Sequence, residues 1–185
     1  MLDHWFLAPR ERGNDDTQID TRRGDGRAYT CGNVVQVLVD GSTYFARLQE
    51  VLDALHAGDR VLFTDWRGDR DERLNGPGSE IGRVLEQLAR RGVDVRGLVW
   101  RSHADRLHFS EKENRQFVQR LNEAGAEVLL DERVHHAGSH HQKIVAVHRV
   151  NGRDVAFVGG IDLSHGRRDD SGHRGDEQAV EIDHR

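Results

Sequence analysis

His141 and Lys143 stand two residues apart at the start of an apolar run, Ile144-Val145-Ala146-Val147. The run predicts a β-strand, and on a strand residues two apart point to the same face. An imidazole beside an ammonium suits a phosphate anion. The ammonium binds non-bridging oxygens and stabilises charge in the transition state. The imidazole attacks phosphorus as a nucleophile or moves a proton. A second run, Asp154-Val155-Ala156-Phe157-Val158, ends in Gly159-Gly160, where the absence of side chains lets a backbone or substrate come close. Asp162 follows just beyond, placed to hydrogen-bond an imidazole and fix its tautomer. Most of the 12 histidines are expected to be surface or packing residues, so the flanking pattern singles out His141.

The elements that must position these residues alternate along the chain. Val34–Val39 reads as a strand, and Phe45, Leu48, Leu52 and Leu55 fall at helical spacing. Val61–Trp66 reads as a second strand, followed by a loop to Pro77. Ser79 is placed to cap a helix whose Ile81, Val84, Leu85 and Leu88 share one face, and Gly92 ends it. Val93–Trp100 is a third strand, Asn114–Asn122 a helix, and Glu127–Leu130 a fourth strand. The last two strands are joined through Asn151-Gly152, the strongest short hairpin signal. This order predicts an α/β fold, a mixed β-sheet flanked by helices on both faces. Residues 1–32 are expected to form an extended or mobile N-terminal segment, 33–170 the catalytic half-domain, and 171–185 a polar tail with one strand-like piece, Ala179–Ile182. Asn14-Asp15-Asp16 reads as a solvated loop, and the Arg-rich stretches 67–73 and 90–101 as loop and helix surface.

The run His-Gln-Lys-Ile-Val-Ala-Val, then Val-Ala-Phe-Val-Gly-Gly-Ile-Asp-Leu, then Gly166-Arg167-Arg168-Asp169-Asp170 resembles the first half-site of the phospholipase D superfamily. Phe63-Thr64-Asp65-Trp66 and Val99-Trp100-Arg101-Ser102 are similar to the same half-domain, so the resemblance covers roughly residues 33–170. It implies that His141 is the nucleophile toward a phosphodiester, that Lys143 is a phosphate ligand, and that Gly159, Gly160 and Asp162 belong to the site. It also implies a phosphohistidine intermediate, no metal or other cofactor, and a phospholipid head-group ester or other phosphodiester as substrate. The chain departs from the family twice. The motif aspartate is replaced by His148, with Asp154 across the hairpin as a candidate replacement. There is one His-x-Lys where the family pairs two, so this looks like the N-terminal half of a longer enzyme or a truncated product. Activity then requires a homodimer or a missing half, and a half-domain that turns over nothing is the alternative. A dimeric nuclease of the same superfamily stays within the first reading.

Bulk properties narrow the classes. Net charge is -5, which gives no overall pull toward nucleic acid or anionic lipid. Cys31 is the single cysteine, so no intramolecular disulfide forms. No apolar run approaches the roughly 20 residues that span a bilayer, and the expected location is cytoplasmic or peripheral at a membrane surface. His135, His136, His140, His141 and His148 cluster, but no cysteine or carboxylate stands at a familiar zinc spacing among them. No dinucleotide or triphosphate loop motif is present.

Overall fold

A computed structural model describes residues 31–101, 111–134, 138–176 and 178. The chain divides into a segment ending at Val37 and a compact unit starting at Leu38. In the first, residues 33–37 form neither helix nor strand. The strand expected at Val34–Val39 is therefore not formed. β-branched residues favour extended backbone, but a strand exists only when a ladder partner is supplied.

The compact unit contains helix α1 (Gly41–Asp53), strand β1 (Arg60–Asp65), helix α2 (Ile81–Arg90), strand β2 (Asp94–Trp100), helix α3 (Glu111–Glu123), and strands β3 (Glu127–Asp131), β4 (Lys143–His148) and β5 (Val155–Gly159). The sheet order is β3-β2-β1-β4-β5. β1, β2 and β3 run parallel, while β4 is antiparallel to β1 and β5 antiparallel to β4. The mixed α/β sheet and its closing hairpin are as the sequence implies. Ala179–Ile182 lies outside the described residues.

Strand alternation decides where the core sits. Val61, Phe63, Val95, Val99, Val128, Val145, Val147 and Phe157 share one buried face with the helical stripes. Phe63 meets Phe117 of α3 edge-on, as Tyr44 of α1 meets Phe157, with ring centroids 6.1 and 5.5 Å apart. Among the described residues all three helices serve this face. The opposite face carries Leu62, Leu98, Leu129, Ile144 and Ala146 around a shallow hollow of about 450 Å³, so the expected flanking by helices is met on one side.

Two local details differ from expectation. Ser79 does not cap α2. Its hydroxyl donates to Gly76 O and accepts from Asn75 N, which closes the preceding loop. The stretch 171–178 is not a free tail. Asp176 and Gln178 are buried, and the Gln178 side chain accepts from Arg73 N and donates to Asp71 O.

Gly97 on β2 lies directly under the Phe63 ring, and a Cβ there would sit 2.4 Å from its Cζ. Phe63 is itself wedged against α3, so it has no free direction of retreat. Gly97→Ala is expected to destabilise the fold by about 1–3 kcal/mol through overpacking, read as a lower urea midpoint at unchanged slope.

Candidate functional site

The topology gathers four strand ends at one edge of the sheet. β1 and β2 end there because they are parallel. β4 begins there because it is antiparallel, with Thr64 opposite Ile144, and β5 ends there, with Lys143 opposite Gly159. The carboxyl edge of parallel strands is where α/β sheets commonly build ligand sites.

His141 lies two residues before the start of β4 and is exposed. Its ring meets Trp66 edge-on, with centroids 5.4 Å apart. Lys143 is the first residue of β4, and its Nζ stands 5.7 Å from the centroid of the same indole. The two side chains therefore converge on one aromatic ring. Their environments differ sharply. Lys143 shares the core-facing side with Val145 and Val147 and is only 4% exposed. Its ammonium donates to His141 O at 3.2 Å and pairs with Asp162 Oδ1 at 3.1 Å.

Asp162 is 3% exposed, and its second oxygen accepts from Arg167 Nε at 3.4 Å. The expected bond from Asp162 to an imidazole is thus replaced by contacts to two cations. The reason is the turn after Gly160, which carries the carboxylate toward the buried side where Lys143 projects. Gly159 and Gly160 are exposed, and a Cβ at either would meet nothing within 4 Å. They leave open space beside the start of β4.

Asp154 does not reach this edge. It sits at the far end of the hairpin, where its carboxylate bonds His148 Nδ1 at 2.9 Å and accepts from Arg149 N. The His148 contact and that backbone bond hold its carboxyl below the usual range. His140 is half-buried and bonded to Gln142 Oε1, and burial pushes its pKa down. His135 and His136 lie outside the described residues. Among the described residues no group of three or more His, Cys, Asp or Glu is arranged to hold a metal ion.

Reasoning from the sequence missed the residues that brace the site. Asp65 ends β1, is 2% exposed, and accepts from Leu163 N and Arg67 N. Asn114, buried on α3, accepts from Gly68 N and donates to Trp66 O and Trp100 O. It ties the ends of β1 and β2 to the helix. Trp66 and Trp100 stack at 5.8 Å with a 14° tilt, so the indole beside His141 is held from behind. Asp69 accepts from His165 N, and the His165 ring lies between Asp69 and Asp71, at 3.3 and 2.9 Å. This clasps the loop after β5 onto the loop after β1. Asp65, Trp66 and Trp100 stood in stretches that resemble the family, with no role attached, and Asp69, Asn114 and His165 stood in none of them.

The arginines of stretch 67–73 are committed to acids: Arg67 to Asp69, Arg70 to Glu86 and Arg73 to Glu80. Beneath them Glu72 is fully buried, and burial followed by repulsion from Asp176 raises its pKa to about 8.

The family model described as Phospholipase D matches residues 62–181, and the chain belongs to that family. It is 26% identical over 176 residues to Phospholipase D1 of Mus musculus, an alignment covering 89% of this chain and 16% of that protein. It is 27% identical over 167 residues to Phospholipase D1 of Homo sapiens, covering 84% and 15%. Phospholipase D alpha 1 of Ricinus communis is 29% identical over 177 residues, covering 76% and 22%. The chain thus spans between 15% and 22% of the length of these relatives. Among solved structures, polyphosphate kinase from Porphyromonas gingivalis aligns with a TM-score of 0.44 at 17% identity, covering 66% of this chain and 19% of that one.

Two outcomes follow from this bracing. Asn114→Ala strands buried donors and acceptors at the ends of β1 and β2, and is expected to cost about 2–4 kcal/mol, measured by chemical denaturation. For Glu72, a folded pKa raised from 4.5 to about 8 means that the folded state holds its proton more tightly than the unfolded chain. The resulting stability is complete below pH 4.5 and is lost as pH rises through about 8. Glu72→Gln, which cannot ionise, is expected to flatten that decline in thermal melts across the same range.

Proposed function

We propose that this chain supplies one half of a phosphodiester-cleaving site, with His141 as the nucleophile and Lys143 as a phosphate ligand. The observation that carries the reading is the convergence of an exposed imidazole and a fixed ammonium on the Trp66 indole, beside open space at Gly159 and Gly160. Membership of the phospholipase D family supports the class of bond cleaved.

The chemistry follows from the residue types. The imidazole nitrogen of His141 forms a bond to phosphorus as the bond from phosphorus to the alcohol oxygen breaks. Two of the three ammonium protons of Lys143 are committed, to Asp162 and to His141 O, which leaves the third for a non-bridging oxygen. Asp162 holds that ammonium in place. The leaving alkoxide needs a proton, and water must later be activated to cleave the phosphohistidine. Both tasks fall to a second histidine, from a second copy of this chain or from a further half-domain. A phospholipid head-group ester is the substrate class, and an alcohol in place of water gives transfer of the phosphatidyl group. No helix among the described residues is long and apolar enough to cross a membrane, so such a lipid would be met at a surface.

A second reading has its own observation. The chain holds one His-x-Lys and spans 16% of Phospholipase D1 of Mus musculus, so a lone copy would bind phosphate without turning over. Size measurement by light scattering, with trapping of a phosphorylated histidine from a labelled phosphodiester, separates the two. The first reading expects a dimer that forms the adduct, and His141→Ala that folds and forms none. An adduct that persists in His141→Ala removes the nucleophile assignment, and an inactive monomer favours the second reading.

A further inference from the structure

We propose that Arg167 is a second phosphate-binding residue of this site: its guanidinium takes the non-bridging oxygen of a phosphodiester that Lys143 leaves free. The proposal deepens the reading of Lys143 as a phosphate ligand and rests on it.

Asp162 serves two cations at once. Its Oδ1 pairs with Lys143 Nζ at 3.1 Å, and its Oδ2 accepts from Arg167 Nε at 3.4 Å. The two nitrogens therefore stand on the two oxygens of one carboxyl group, and a phosphate that meets one lies close to the other. One carboxylate does not match two cations. Asp65, also buried at this edge, pairs with neither, since its oxygens accept from Arg67 N and Leu163 N. The neighbouring arginines have acids elsewhere. Arg67 meets Asp69, and Arg168 meets Asp176.

Arg167 is also placed to use that excess. Its side chain is 43% exposed, whereas the Asp162 side chain beneath it is 4% exposed. Its Nε is spent on Asp162, and neither Nη nitrogen has a hydrogen-bond partner among the described residues. The outer donors of a guanidinium fixed from within are thus left for a ligand. The backbone that carries it is pinned as well. A Cβ on Gly41 would overlap the Arg167 carbonyl, Ser42 N donates to Asp169 O, and Gly166 N donates to Asp176. Gly166 itself takes a φ of 74°, the left-handed region that favours glycine, and so turns the chain just before Arg167. The two cations differ in kind. The ammonium is a point charge, and the guanidinium is a planar fork suited to phosphate oxygens. A phosphodiester has two non-bridging oxygens, one for each. Two anchors fix the rotation of phosphorus as well as its position, which one ammonium does not.

The test uses the full chain, labelled with ¹⁵N in its arginine and histidine side chains, with dimethyl phosphate as the probe. Titration followed by NMR is expected to shift the guanidinium signals of Arg167, assigned through the backbone, together with the ring signals of His141. Arg167→Gln is expected to weaken dimethyl phosphate binding roughly tenfold. Asp162 keeps Lys143 as its partner in that variant, so thermal melts are expected to stay close to those of the wild type. The wild-type titration decides alone if the variant fails to fold. A shift at His141 without one at Arg167 overturns the proposal and leaves the reading of Lys143 standing. So does wild-type affinity in a folded Arg167→Gln. A probe that shifts neither residue sinks both readings.

Discussion

The site turns on a buried ion pair, Lys143 with Asp162. A lysine at the core-facing start of β4 breaks the apolar alternation that Val145 and Val147 continue. Desolvating an ammonium costs several kcal/mol, and only a well-placed opposite charge with further hydrogen bonds offsets it. Asp162 and His141 O supply these, from the segment after β5 and from the residue just outside β4. The pair therefore demands that both ends of the hairpin keep their register. A slip of one residue would turn Lys143 to the other face and leave Asp162 buried without its partner.

The loops around that pair are over-determined for the same reason. Irregular backbone at a sheet edge has polar groups that need partners. Asp65, Asp69 and Asn114 provide them, each taking backbone amides from a segment distant in sequence. Gly41 adds a close approach, since a Cβ there would overlap the Arg167 carbonyl, and Ser42 N donates to Asp169 O. α1 thus packs its first turn onto the loop that carries Arg167. The result is a braced frame around an exposed imidazole.

The sheet and its hairpin were legible because they rest on local periodicity. Alternation from Lys143 to Val147, the Asn-Gly turn and the Gly-Gly end each speak within ten residues. What was not legible depends on distant partners. Asp65 meets Leu163 across 98 positions, and Asn114 meets Trp66 across 48. No local pattern marks an aspartate or asparagine as a brace. Val34–Val39 shows the converse, a strand-like composition with no ladder to join. Asp162 meets Lys143 and Arg167 where the sequence suggested an imidazole, because the choice of partner depends on how the chain after Gly160 is directed. The Glu72 cluster was invisible for a similar reason, since burial of a charged residue is a tertiary fact.

The pairing of His148 with Asp154 bears on how members of this family are recognised. β4 carries Lys143 at one end and His148 at the other, about 16 Å apart at the usual rise per residue. His148 is exposed beside the hairpin turn, at the other end of β4 from Lys143. Its ring and the Asp154 carboxylate clamp that turn. A pattern that includes position 148 therefore reads the turn of the hairpin, whereas His141 and Lys143 read the opposite end of the strand.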